Sequence, residues 1–367
     1  MRTVAIRADA SYDIGTGHVM RCLALAEGLR NSGSKPIFLS RNLPGNISNK
    51  VRESGFQLIE LPPPPDSSAR LSRRKNSTVA DLLGVSWEQD VCDCQAALAG
   101  VDVDAYCVDH YALDRRWEEK MGRDRSFMIV LDDLADRPHQ CHLLLDANLG
   151  RKKEDYVSLV DNGTSLLIGP GYALLRPEFA MWRKRSKERR IDGELNSVVV
   201  SMGGADKANV TGRIISAFAD MNFGPEFKLT VILGQSSTCV KQVRKMLENL
   251  DFQSSLKVNV SDMAATMSEN DLAIGGAGST AWERCCLALP SLLVVMADNQ
   301  RAGAEALADV GAGILLGYDA DFEAEFAAAI TKMQIRDNLR LMSTAAASIT
   351  DGKGVERVCG IIASMNA

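Results

Sequence analysis

Val4-Ala5-Ile6-Arg7-Ala8-Asp9, followed shortly by Ile14-Gly15-Thr16-Gly17-His18, is the stretch that decides the fold. The first run is apolar and β-rich, the second is a glycine turn, and Val19, Cys22, Leu23, Ala26 and Leu29 then recur at helical spacing. Strand, tight turn and helix make the opening half of a βαβ unit, with His18 in the first helical turn. Glycine lets the backbone turn sharply and approach a ligand, while free N–H groups and the positive end of the helix dipole favour an anion. An imidazole placed there can serve as a general base, or as an acid once it has taken a proton. A capping or core histidine is the plainer alternative for that residue alone.

The same alternation continues through candidate strands 36–40, 56–60, 104–109, 127–131, 142–145 and 165–168. It starts again at Ser197-Val198-Val199-Val200-Ser201, with strands near 228–233, 256–260, 271–275 and 291–295. This order implies an α/β chain of two doubly wound parallel sheets covered by helices. The expected organisation is a first domain over 1–175, a connector over 176–196 beginning Arg176-Pro177-Glu178-Phe179, and a second domain over 197–367. The alanine-rich helical patterns 336–347 and 352–365 can cross back to brace the first domain. Two such halves facing each other would place the carboxyl ends of both sheets on a common cleft. Leu61-Pro62-Pro63-Pro64-Pro65 and the polar stretch to Thr78 interrupt the pattern and read as a mobile insertion, most simply a surface excursion.

A chain of 367 residues with 46% hydrophobic content can build two cores. Its net charge of -5 argues against a nucleic-acid partner, and the basic run Arg183 to Arg190 reads as a solvated connector. The nine cysteines are odd in number and scattered, which fits a reducing cytoplasm. Cys92-Asp93-Cys94 has no second pair at zinc-ligand spacing, so neither metal nor cofactor is expected. No apolar run approaches the roughly 20 residues of a membrane span, so a soluble protein without a membrane partner is expected.

Two further turns fall where ligands bind in such sheets. Ser201-Met202-Gly203-Gly204-Ala205-Asp206 follows a strand and is expected to open a helix. Gly275-Gly276-Ala277-Gly278-Ser279-Thr280-Ala281-Trp282-Glu283 repeats the arrangement. Glycines admit a phosphate close to the backbone, Ser279 and Thr280 can donate to its oxygens, and Glu283 can accept a ribose diol. No Walker lysine follows either turn, and the first half lacks the dinucleotide-binding glycine spacing. A nucleotide other than a kinase or dehydrogenase cofactor fits best.

Several strings then occur in one order: Arg7-Ala8-Asp9 to Gly17-His18, Val108-Asp109-His110-Tyr111, Leu131-Asp132-Asp133, Gly169 to Arg176, Ser201-Met202-Gly203-Gly204, Gly276 to Glu283, and Asn299-Gln300. Together they resemble the UDP-2,4-diacetamido-2,4,6-trideoxy-β-L-altropyranose hydrolases of pseudaminic acid biosynthesis, over nearly the whole chain. The resemblance implies a GT-B-like fold similar to MurG-type glycosyltransferases, a UDP-sugar substrate and UDP as product. By the same resemblance His18 is catalytic, with Tyr111, Asp9 and Asn299 as its companions. Gly17, Gly203, Gly204, Gly276, Gly278, Ser279, Thr280 and Glu283 would hold UDP, and Asp109, Asp132, Arg176, Asn299 and Gln300 the sugar; Asp9, Asp109, Asp132 and Asp133, at strand ends, are secondary candidates whose plainer alternative is capping the following turn, as packing is for His110. The segment around 61–100 has no counterpart in the family pattern. A UDP-sugar glycosyltransferase, a UDP-N-acetylglucosamine 2-epimerase and a non-catalytic sugar-nucleotide sensor are the competing readings, and the oligomeric state stays open, with a monomer compatible.

Overall fold

The structure, a computed structural model, describes residues 2–65, 79–122, 126–191, 193–203, 206, 209–234, 237–296, 300–317 and 321–365. The first half runs β1 (Thr3–Ala8), α1 (Gly17–Asn31), β2 (Lys35–Arg41), α2 (Ser48–Glu53), β3 (Gln57–Leu61), α3 (Trp87–Ala97), β4 (Ala105–Asp109), α4 (Arg115–Met121), β5 (Phe127–Leu131), β6 (Leu143–Asp146) and β7 (Ser165–Ile168). The second runs α5 (Pro177–Arg189), β8 (Ser197–Ser201), α6 (Val210–Ala219), β9 (Lys228–Leu233), α7 (Val240–Leu247), β10 (Gln253–Val258), α8 (Met263–Ser268), β11 (Leu272–Gly276) and α9 (Thr280–Cys286). It continues through β12 (Ser291–Val294), α10 (Arg301–Asp309), β13 (Ile314–Leu316), α11 (Phe322–Met333) and α12 (Arg336–Ile349), and the chain closes with α13 (Gly354–Met365).

Among the described residues the strands form two sheets, ordered β3-β2-β1-β4-β5-β6-β7 and β10-β9-β8-β11-β12-β13. Every pairing between these strands is parallel. Parallel sheets are covered on both faces, so their central strands read as unbroken apolar runs. Phe127-Met128-Ile129-Val130-Leu131 is buried throughout. Leu39, Val108, Val130, Leu144 and Trp117 belong to the core of the first sheet, and Val198, Val231, Ile274, Phe218 and Phe326 to that of the second. In each sheet the strand order reverses once, between β1 and β4 and between β8 and β11. Ligands of open α/β sheets bind outside the carboxyl ends of the strands at such a reversal. The turn ending at His18 follows β1, Asp109 ends β4, and both glycine-rich turns follow β8 and β11.

The chain divides into two compact units, residues 1–174 with 354–367, and residues 175–353. The segment read as a connector carries α5, which belongs to the second unit. Its Arg183 donates to the carbonyls of Cys286, Ala347 and Thr350 at 2.5, 2.7 and 3.0 Å. Helix α13 belongs to the first unit, where a Cβ on Gly28 of α1 would lie 2.4 Å from Val355 Cγ1. Part of the segment around 61–100 is α3, whose Asp90 accepts from Arg7, Arg41 and Trp117. Residues 66–78 lie outside the described residues. Strand β10 begins at Gln253, earlier than its apolar residues suggest. Strand β13 escapes the sequence pattern because Ile314-Leu315-Leu316 is too short a run to register between Gly313 and Gly317. Among the described residues no helix is long and apolar enough to cross a membrane.

Candidate functional site

In the first unit, the turn after β1 is shaped by Ser11, whose hydroxyl accepts from the N–H groups of Asp13 and Ile14, and by Gly15 at φ 81°. That conformation suits glycine. It delivers His18 into the first turn of α1, where its ring is buried and its Nδ1 lies 2.5 Å from Asp109 Oδ1. A carboxylate only accepts, so Nδ1 carries the proton and the neutral ring keeps a lone pair on Nε2. Tyr111 stands edge-on to the imidazole with ring centroids 4.5 Å apart.

Arg21, one turn along α1, completes the cluster. Its Nε and Nη2 donate to the two oxygens of Asp109, each at 2.7 Å, and its Nη1 donates to Asp133 Oδ1 at 2.8 Å. Tyr111 donates its hydroxyl to Asp133 Oδ2 at 3.2 Å. Burial alone would raise the Asp109 carboxyl, but the Arg21 guanidinium, and then His18, hold it well below the usual carboxylate range. Burial, and then Asp133, push the Tyr111 phenol up. Arg21 escaped the sequence reading. Its signal was a charged residue in the helix α1, three positions after the histidine and so on the same face.

The other aspartates do different work. Asp9 is buried and its oxygens are taken by Arg7 at 2.6 and 2.8 Å and by the Arg41 N–H at 2.6 Å. It therefore ties β1 to β2 and stands apart from the His18 hydrogen bonds, against its reading as a catalytic companion. Asp132 caps the turn after β5 with Oδ2, which accepts from Leu134 N, Ala135 N and the Tyr156 hydroxyl, while its Oδ1 lies 2.9 Å from Arg137 Nη1. His110 is packed, with Nδ1 accepting from Ala112 N, and burial pushes its ring down to about 4.

In the second unit, the turn after β11 is dictated by close packing. A Cβ on Gly275 would lie 2.5 Å from the carbonyl oxygen of its β8 partner Ser201, so the paired ends of the two strands from which the glycine-rich turns leave are closely packed. Arg284 is buried beneath the second turn and donates to Gly276 O at 2.8 Å, Ser291 Oγ at 3.1 Å and Thr280 Oγ1 at 3.3 Å. All of these acceptors are neutral, and burial brings its guanidinium down to about 10. Because Thr280 Oγ1 accepts from Arg284, its own hydrogen is free to be donated elsewhere. Ser279 is exposed at the start of α9, where its side chain caps no N–H. Gln300 packs on the turn, with Nε2 3.3 Å from where a Gly278 Cβ would be and Oε1 accepting from Met296 N at 3.2 Å.

Glu283 lies inside α9, and burial raises its carboxyl to about 7 against the lowering pull of Arg176 and Arg284. Arg176 Nη2 stands 3.8 Å from Glu283, while its Nη1 pairs with Glu178 at 2.9 Å. Arg176 is thus placed beside the candidate ribose ligand. The turn after β8 departs from expectation. Helix α6 begins only at Val210, and its first N–H groups are taken by Asp206, which accepts from Val210 and Thr211 at 2.9 and 3.0 Å. Gly203, at φ 99°, is described, whereas Gly204 and Asn299 lie outside the described residues.

Residues 195–357 match the model of the glycosyltransferase family 28 C-terminal domain. The chain is 23% identical over 303 residues to an uncharacterized protein of Methanocaldococcus jannaschii, covering 81% of this chain and 56% of that protein. It is 24% identical over 378 residues to the spore coat polysaccharide biosynthesis protein SpsG of Bacillus subtilis, covering 98% and 97%. It is 25% identical over 308 residues to the UDP-2,4-diacetamido-2,4,6-trideoxy-beta-L-altropyranose hydrolase of Campylobacter jejuni, covering 84% and 97%. The crystal structure of MurG from Acinetobacter baumannii matches in fold with a TM-score of 0.68 at 16% identity, covering 99% of this chain and 100% of that one. The chain therefore has the two-sheet GT-B fold, its second unit carries a match to the glycosyltransferase family 28 C-terminal domain, and most of its length resembles the UDP-diacetamido-trideoxy-altropyranose hydrolases, as its ordered motifs imply.

Proposed function

We propose that this protein hydrolyses a UDP-linked 2,4-diacetamido-2,4,6-trideoxy sugar of the L-altropyranose type at its anomeric C1–O bond, with inversion, releasing UDP and the free sugar for pseudaminic acid synthesis. The observation that carries the reading is the His18–Asp109 pair, which leaves Nε2 as a base, beside Tyr111. The resemblance to the Campylobacter jejuni hydrolase supports it from the sequence side. In the proposed step water attacks C1 and gives its proton to His18 Nε2, while the C1–O bond breaks and its electron pair leaves with UDP. General-base help of this kind is worth ~10²–10⁴-fold, and fixed donors on the leaving group add to it. Gly276, Gly278, Ser279, Thr280 and Glu283 of the second unit are the proposed nucleotide ligands; Gly17, Gly203 and Gly204 are proposed for the same role on the resemblance. Asn299, Gln300 and Arg176 are proposed for the sugar, on the resemblance. The step uses no metal, so turnover should persist in chelator.

Two experiments test this. In ¹⁸O-labelled water the label should enter the sugar; label in UDP would place the cleavage at phosphorus and sink the scheme. His18→Asn should bind UDP as the unaltered protein does and release none from the UDP-sugar. The family 28 match favours a second reading, transfer of the sugar to an acceptor hydroxyl. Under that reading UDP would accumulate only when an acceptor is supplied.

A further inference from the structure

Asp109 accepts from both His18 and Arg21, and the two cations it could pair with compete for it. A lone buried carboxylate beside an imidazole draws a proton onto the ring, since the resulting ion pair is strong where water is scarce. Here that carboxylate is already matched by a guanidinium that grips both of its oxygens at 2.7 Å and reaches within 3.4 Å of His18 Nδ1. We infer that Arg21 is a positioning residue for the proposed reaction: it fixes the Asp109 carboxylate in the plane that aligns His18 and neutralises it, so that Nε2 stays an unprotonated base. The inference rests on the reading of His18 as the base. The charged and titratable groups around the His18–Asp109 pair come from three places. They are Arg21 and the Cys22 thiol on α1, Asp109, His110 and Tyr111 at and after the end of β4, and Asp133 after β5.

Asp133 gives the arrangement its balance. It takes the third arm of Arg21 and the Tyr111 proton, so one guanidinium serves two carboxylates and the phenol donates to Asp133. Removing the guanidinium leaves Asp109 unmatched on the imidazole and frees Asp133 from its cation; removing Asp133 leaves the guanidinium to Asp109. The two changes push the proton on His18 in opposite directions.

The test is the titration of His18, followed by NMR on imidazole-labelled full-length protein without substrate, with His18→Asn assigning the signal. Arg21→Met should raise the midpoint by about 1–2 units, the scale set by a nearby charge, and move the acid limb of turnover up with it. Arg21→Lys keeps the charge but not the two-pronged grip, so its midpoint should stay near that of the unaltered protein while kcat falls and KM holds. Asp133→Asn should lower the midpoint, and it decides the matter should Arg21→Met fail to fold. An unmoved or lowered midpoint in Arg21→Met, or a raised one in Asp133→Asn, overturns the inference. If the unaltered protein releases no UDP from the UDP-sugar, the hydrolase reading fails, while the titration still judges Arg21.

Discussion

Glu283 shows how far a single residue can be read. Its place one turn after a glycine-rich loop marks it as a ribose ligand candidate in the sequence, but its charge state belongs to the folded surroundings. Burial raises its carboxyl to about 7. Only the ionised form can accept both hydroxyls of a diol, so UDP affinity should fall as pH drops below about 7. Calorimetric titration across about pH 5.5 to 8.5 would follow this. Glu283→Gln should bind UDP about tenfold or more weakly and lose that dependence, given ~1.5–3 kcal/mol for a hydrogen bond to a charged group. His18 was legible for a similar reason: a glycine turn fixes where the next side chain goes. Asp9 and Asp109 were not separable, because both are aspartates at strand ends. Asp9 faces Arg7 and Arg41, whereas Asp109 faces His18 and Arg21.

At the scale of elements, helix α13 is held on the first unit by the absence of side chains. A Cβ on Gly354 would meet the Ala173 carbonyl oxygen at 2.2 Å, and one on Gly28 would meet the Val355 side chain at 2.4 Å. Gly360, on the same helix, has nothing within 4 Å. Gly354→Ala should therefore cost more than Gly28→Ala, since backbone cannot step aside as a rotating side chain can; overpacking runs at ~1–3 kcal/mol. Gly360→Ala should stabilise by up to ~1 kcal/mol through helix propensity. Thermal melts of the three variants check the order, and an equal loss in all would refute the packing account. The strands were the elements most readily read, because parallel sheets demand apolar runs. Helix starts were read less well: α6 begins after the Asp206 and Asn209 side chains have taken its first N–H groups, a detail that depends on side chains turning back to the backbone.

For the whole molecule, the first unit is assembled from both ends of the chain, residues 1–174 and 354–367, while the second is continuous. Ending the chain after Lys353 removes only residues of the first unit. Such a protein should bind UDP with unchanged affinity and yet melt at lower temperature, with hydrogen exchange rising in α1, which α13 covers. Loss of UDP binding would contradict the assignment of the nucleotide to the second unit.

What the sequence alone determined is the local grammar. Apolar runs became parallel strands, periodic stretches became helices, and His18 and Glu283 were set just beyond strand ends, because backbone hydrogen bonding and burial act over a few residues. What only the tertiary structure decided is partnership. His18 meets Asp109 across 91 positions of sequence and Arg21 meets Asp133 across 112. Such pairs form where the order of strands in the sheet brings their ends together. The strand order is fixed by how the whole core packs, and no local pattern carries it.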